Sequence, residues 1–98
     1  MTYIITGTVD AEHPSLPGHF PGAPLVPGVL ILTRVLTAAA SIFGCEARTV
    51  SVAKFQAPLK PGESYAIHLD RGTERNVRFE VTRGPDAIAR GSIMLQDR

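Results

Sequence analysis

The residues able to do chemistry gather in the first half of the chain. His19 sits in Gly18-His19-Phe20-Pro21-Gly22, and imidazole is the side chain whose ordinary titration lies nearest neutrality, so it can take or give a proton. Further on, Pro27-Gly28 leads into Val29 to Phe43, a run with good helix formers and no proline. The first amides of such a helix point outward with no internal acceptor and with the helix dipole behind them, which suits them to receive developing negative charge. A glycine at that point serves as a permissive start and also lets an acceptor come close to the backbone. Within the same run stand Thr33 and Arg34, and Arg34 is the only formally charged side chain between His13 and Cys45. His13, before Pro14, and His68, in an alternating segment, lack comparable surroundings and read as structural or solvent-facing.

The rest of the sequence bounds what these residues can serve. Ninety-eight residues make one domain, 1–98, and a 44% hydrophobic share with 19% charged residues marks a globular chain. Ten basic against nine acidic residues leave a formal charge of +1, which argues against nucleic-acid binding. The single Cys45 offers neither an internal disulfide nor a thiolate pair for zinc, and a reducing compartment fits best. The N-terminus alternates polar and apolar residues and does not read as a secretory signal, so a cytoplasmic location is expected. The longest apolar stretch, Val26 to Phe43, is interrupted by Pro27 and Arg34 and falls short of the ~20 residues a membrane span needs.

Five prolines, Pro14, Pro17, Pro21, Pro24 and Pro27, interleave with glycines and with Leu16, Phe20, Leu25 and Val26, a composition that predicts an ordered loop packed on the core. A helix over 28–43 follows, ending at Gly44 as a left-handed cap. Its apolar residues surround nearly the whole circumference, which predicts burial on most sides. The period then changes to two. Thr49 to Phe55, Tyr65 to Leu69, Val77 to Val81 and Ile88 to Leu95 read as strands, with a fifth over Tyr3 to Val9. Turn chemistry separates them at Lys60-Pro61-Gly62-Glu63, Arg71-Gly72-Thr73 and Arg83-Gly84-Pro85-Asp86. The expected class is α+β, one antiparallel sheet wrapped around one long central helix, with a second copy covering what a single shell leaves open.

Gly18-His19-Phe20-Pro21-Gly22-Ala23-Pro24-Leu25-Val26-Pro27-Gly28-Val29-Leu30 closely resembles the active-site segment of the hot-dog-fold 3-hydroxyacyl-(acyl carrier protein) dehydratases of the FabZ and FabA type. Val52-Ala53-Lys54-Phe55-Gln56-Ala57-Pro58-Leu59-Lys60-Pro61-Gly62-Glu63 is similar to the strand and turn after their helix. The likeness runs from residue 13 to about residue 83. It implies a hot-dog fold, a homodimer or larger homo-oligomer with shared active sites, and loss of water from a 3-hydroxyacyl thioester. It also implies a substrate carried on the phosphopantetheine arm of acyl carrier protein, and neither metal nor diffusible cofactor. His19 then corresponds to the base, Gly28 with Val29 to the oxyanion donors, and Phe20, Pro27, Val29, Leu32 and Phe55 to the substrate's surroundings. Leu32, Leu36 and Phe55 would line an acyl slot between helix and sheet.

One position departs from the pattern. Family members carry Glu or Asp on the helix fourteen residues after the histidine, and this chain has Thr33 there. A threonine hydroxyl can hydrogen-bond the leaving oxygen but is far too weak an acid to replace a carboxyl group. Three readings follow: His19 does both proton transfers while Thr33 or a water orients the group; another carboxylate arrives, from Glu12, Glu63 or Asp70; or the chain is an impaired subunit that pairs with a complete relative. A thioesterase is a further alternative, although it too usually needs a helix carboxylate. Arg34 is expected either to meet Asp10, Glu12 or Glu46 or to line the substrate tunnel or the carrier-protein entrance. Arg71, Arg75, Arg78 and Arg83 read as exposed residues, some of which would form a docking patch for an acidic carrier protein.

Overall fold

The computed structural model describes residues 2–10, 25–44, 46–73 and 75–96. Six elements follow one another: β1 (Thr2–Thr8), α1 (Gly28–Phe43), β2 (Glu46–Phe55), β3 (Ser64–Arg71), β4 (Asn76–Arg83) and β5 (Asp86–Gln96). The strands form one antiparallel sheet in the order β1-β3-β4-β5-β2. The helix therefore joins the two edge strands. Sixteen residues of helix extend about 24 Å, and five strands span about 19 Å, so α1 is long enough to cross one whole face. Among the described residues no helix is long and apolar enough to cross a membrane.

Alternation decides which face is covered. Tyr65, Ile67 and Leu69 on β3, Val77, Phe79 and Val81 on β4, and Ile93 and Leu95 on β5 are buried beneath the helix, together with Ile31, Val35 and Ala39 of α1. Register carries Ile4, His68, Glu80, Arg90 and Lys54 in one row across the opposite face. His68 Nε2 lies 3.1 Å from Thr82 Oγ1 there. Gly91 on β5 lies where pairing with β2 slips between Val50 and Val52, and an added Cβ would run into the Val52 carbonyl. The β2–β5 bulge thus depends on a residue without a side chain.

All five expected strands are present, most of them longer than the alternating cores, with β1 displaced by one residue so that buried Val9 follows it. Gly44 caps α1 at φ 67°, its amide bonded to the Ala40 carbonyl at 3.0 Å. The helix itself is less enclosed than its composition predicts. One side, Ile31, Val35 and Ala39, is buried in the chain, while Val29, Thr33, Thr37 and Ser41 form an exposed stripe on the other. A single sheet can cover only one side of a helix, and three of the four uncovered residues carry hydroxyls that tolerate water.

Candidate functional site

The amino end of α1 is shaped by its neighbours. The Val26 amide bonds to the Leu59 carbonyl at 2.8 Å, tying the approach to the helix onto the β2–β3 connection. Pro27 caps the helix at φ −60° and ψ 141°, with no side-chain hydrogen bond to the cap. Its carbonyl accepts from the amides of Leu30 at 3.0 Å and Ile31 at 3.3 Å. Proline supplies the fixed φ that starts the turn, and the Gly28 and Val29 amides make none of the hydrogen bonds found among the described residues. The Phe55 ring, 49% exposed, lies against Gly28 so closely that a Cβ there would be 2.9 Å from Cζ. Leu25, Gly28, Ile31, Phe55 and Leu59 line an open groove of about 450 Å³ at this end, and Val29 beside it is 77% exposed.

Thr33 is exposed and donates its hydroxyl proton to the Val29 carbonyl at 2.9 Å. The hydroxyl is thereby drawn back one turn toward the helix start, offering its lone pairs outward rather than its proton. Of the two places expected for Arg34, beside Asp10, Glu12 or Glu46 or lining the substrate's path, the first shows no ion pair among the described residues, from which Glu12 and the side chain of Glu46 are excluded. Arg34 Nη1 donates to the Thr8 carbonyl at 3.3 Å and to Tyr65 Oη at 3.1 Å, both neutral. Arg34 also faces the side of α1 next to β1, and Thr33, Arg34 and Tyr65 share a groove of about 550 Å³ there.

The other expected residues divide. His19 and Phe20 lie outside the described residues, as do Glu12, His13, Leu16 and Cys45. Leu32 and Leu36 are half-buried against the core, and neither lines the groove that Phe55 lines. Between helix and sheet the space bounded by Val9, Ile31, Arg34, Leu59, Tyr65 and Val81 is only about 10 Å³, too small for an acyl chain. Room of the required size lies instead along the outside of the helix and at its amino end.

Two of the three carboxylates weighed as replacements are accounted for. Glu63 Oε1 accepts from the Lys60 amide at 2.7 Å and from Arg83 Nη1 at 3.2 Å. The Lys60 amide, and next the Arg83 guanidinium, hold that carboxyl below its ordinary range. Asp70 stands opposite Arg78 on the sheet face turned away from α1. The four arginines do not gather into one patch. Arg71 lies over the Phe43 ring at 5.4 Å, whereas Arg83, about 20 Å away along the β3–β4 pair, joins Pro58, Glu63 and Asp86.

A family model for ApeI-like proteins, described as ApeI dehydratase, matches residues 1–92. The chain belongs to this family. The 3-hydroxyacyl-(acyl-carrier-protein) dehydratase FabZ of Rhizobium rhizogenes is 31% identical over 99 aligned positions, covering 90% of this chain and 60% of that protein. The chain thus spans about 60% of that relative's length. Among solved structures, the dehydratase heterocomplex ApeI:P from Xenorhabdus doucetiae superposes with a TM-score of 0.82 at 26% identity, covering 96% of this chain and 86% of the other. The fluoroacetyl-CoA thioesterase FlK shares the fold, with a TM-score of 0.65 at 15% identity over 95% of this chain and 82% of the other. This member of the ApeI-like family therefore has the hot-dog fold that its motif implies.

Two contacts of this family member were not read from its sequence. Tyr65 counted only as a strand residue, yet its phenol reaches Arg34 across Gly7, where a Cβ would be 2.7 Å from Oη. A tyrosine on the inward phase of a strand needs a hydrogen-bond partner, and a glycine inside a strand marks a close approach; together those were the available signals. The stacking of Phe55 on Gly28 left no signal, because it depends on how β2 ends beside the helix.

Proposed function

We propose that this chain removes water from a 3-hydroxyacyl thioester carried on the phosphopantetheine arm of acyl carrier protein, giving the trans-2-enoyl thioester. His19 takes the proton from the carbon next to the thioester carbonyl. The carbonyl oxygen, as it gains charge, accepts hydrogen bonds from the amides of Gly28 and Val29. The electron pair then forms the double bond, the C3–O bond breaks, and the departing hydroxide leaves as water with a proton returned by the His19 imidazolium. Thr33, whose own proton is committed to the Val29 carbonyl, accepts a hydrogen bond from the C3 hydroxyl and orients it. No resident cofactor takes part.

The observation that carries this reading is the start of α1, opened by Pro27, left without a side-chain cap, with a glycine at its first position. Incubation of the purified protein with a 3-hydroxyacyl carrier protein, followed by mass spectrometry for loss of water, tests it. Activity that His19→Ala abolishes supports the reading; intact activity in that variant overturns it.

Thr33 favours one second reading, a subunit of the same fold that holds acyl carrier protein and completes a heterodimer with a relative supplying the acid. The ApeI:P structure is itself a heterocomplex, which gives this reading a structural precedent. Dehydration that begins only when a second hot-dog protein is added would select it over the self-sufficient enzyme. The thioesterase alternative is weaker, since it too usually relies on a helix carboxylate to activate water and this chain has Thr33 at that position.

A further inference from the structure

We propose that the groove between α1 and β1 binds an acyl tail bearing an oxygen acceptor, and that Arg34 and Tyr65 are the residues that recognise that oxygen. The groove is open to solvent, has room for about 550 Å³ and is lined by Gly7, Thr33, Arg34, Thr37, Ser41 and Tyr65, together with aliphatic residues. That volume suits one small ligand or one acyl chain. A slot for a saturated chain would be aliphatic throughout, whereas this one combines aliphatic walls with hydroxyls and a cation.

A guanidinium has five N–H donors, and Arg34 makes its two hydrogen bonds from Nη1, to the Thr8 carbonyl and to Tyr65 Oη. Neither Nε nor Nη2 takes part in any hydrogen bond found among the described residues. Tyr65 Oη accepts from Arg34, so its own proton is free to be given to another acceptor, on a side chain only 7% exposed. No acidic residue occurs between His13 and Cys45, and α1 has none in its first turn. Among the described residues the corner has donors to spare, and Arg34 meets no acceptor of matching charge. Placing Arg34 half-buried among neutral partners already removes part of its hydration, so an incoming oxyanion or carbonyl oxygen gains a charge-assisted hydrogen bond at little further cost.

The corner is also built rather than incidental. Gly7 stands directly opposite Tyr65 in the β1–β3 pairing, and only the missing Cβ leaves room for the phenol to cross β1 toward Arg34. Arg34 lies six residues beyond Gly28, about 9 Å along the helix axis. Thr33, one residue earlier, is drawn back to the Val29 carbonyl and takes the C3 hydroxyl, whereas Arg34 turns about 100° round the helix toward β1, so the oxygen it meets belongs to the acyl group beyond C3. This placement rests on the dehydratase reading, whereas the donor excess does not.

The test is calorimetric titration of the purified protein with three acyl-pantetheines of equal length, ending in a methyl group, a methyl ketone or a carboxylate. The oxygenated tails are expected to bind tighter than the methyl-ended one, the carboxylate by about tenfold or more. Arg34→Met keeps the apolar stem and removes the charge, and should bring the carboxylate-ended ligand down to the affinity of the methyl-ended one. Tyr65→Phe should weaken both oxygenated ligands severalfold, and it carries the test if Arg34→Met fails to fold. Equal binding of all three tails, a preference that survives the variants, or no binding at all overturns the proposal. Dehydration failing while the preference persists would remove the proposed reaction and leave this site; the reverse would remove the site alone.

Discussion

Gly7 and Tyr65 pair across β1 and β3, and the phenol oxygen lies 2.7 Å from where a β-carbon on Gly7 would stand. A methyl group there cannot coexist with the ring in its present place. Gly7→Ala is therefore expected to destabilise the protein by about 1–3 kcal/mol, as overpacking does. In a Tyr65→Leu background the same change should cost clearly less, which a double-mutant cycle by urea unfolding would read out. Additive effects would mean that the two side chains do not compete for this space.

Gly28 separates packing from chemistry. Its added Cβ would meet the outer atoms of Phe55, a ring exposed enough to move, and alanine gains helix propensity. Gly28→Ala should change stability by no more than about 1 kcal/mol. Turnover of a 3-hydroxyacyl carrier protein should nevertheless fall by about 10²-fold, because the methyl group and the shifted ring obstruct the approach to the helix amides. An unfolding curve and a rate on the same preparation decide it; a rate within twofold of the parent would remove the oxyanion role.

Gly91 offers no such escape. A β-carbon there collides with the backbone carbonyl of Val52, which cannot swing aside as a side-chain tip can. Gly91→Ala should cost upward of about 3 kcal/mol or shift the β2–β5 register. Loss of a cooperative thermal transition, or altered amide exchange confined to β2 and β5, is the expected signature.

Glu63 should contribute to the acid limb of stability. Its carboxyl titrates lower when folded than when unfolded, chiefly through the Lys60 amide and then through Arg83. A depressed folded value means the contribution is present above the ordinary glutamate range and is lost as pH falls through the lowered value. The Tm difference between the parent and Glu63→Gln should thus be largest near neutrality and vanish in strong acid. A difference that stays constant with pH would show that the carboxyl acts only by its shape.

Thr33→Glu tests what the helix lacks. If the native site runs on His19 alone, a carboxyl group at 33 should raise the rate about 10²-fold or more. An unchanged rate would show that another residue already gives the departing hydroxyl its proton.

Much of this arrangement was legible in the sequence because it is local. Alternation over Tyr65 to Leu69 and Val77 to Val81, the glycine after Phe43, and Pro27-Gly28 at the helix start all act within a few residues of themselves. The exposed stripe of Val29, Thr33, Thr37 and Ser41 was hidden because the flanking aliphatic residues make the whole run look apolar. The partners of Arg34 were hidden for a different reason. Formal charge points to a carboxylate or to a lining of the substrate's path, whereas sheet register delivers a carbonyl from β1 and a phenol from β3. Contacts between residues 26 and 31 positions apart are set by topology, which no local pattern announces.

The helix that links the two outermost strands also bears on how the chain assembles. β3, β4 and β5 are consecutive hairpins and can pair as soon as each is made, but Thr8 must wait for Ser64 and Glu46 for Gln96. Both rims of the sheet are thus late, slow closures across long loops, added to a three-stranded meander that forms first. In pulse-labelling during refolding, amides of β4 should gain protection before those of β1 and β2, whose fates are joined by the rod between them.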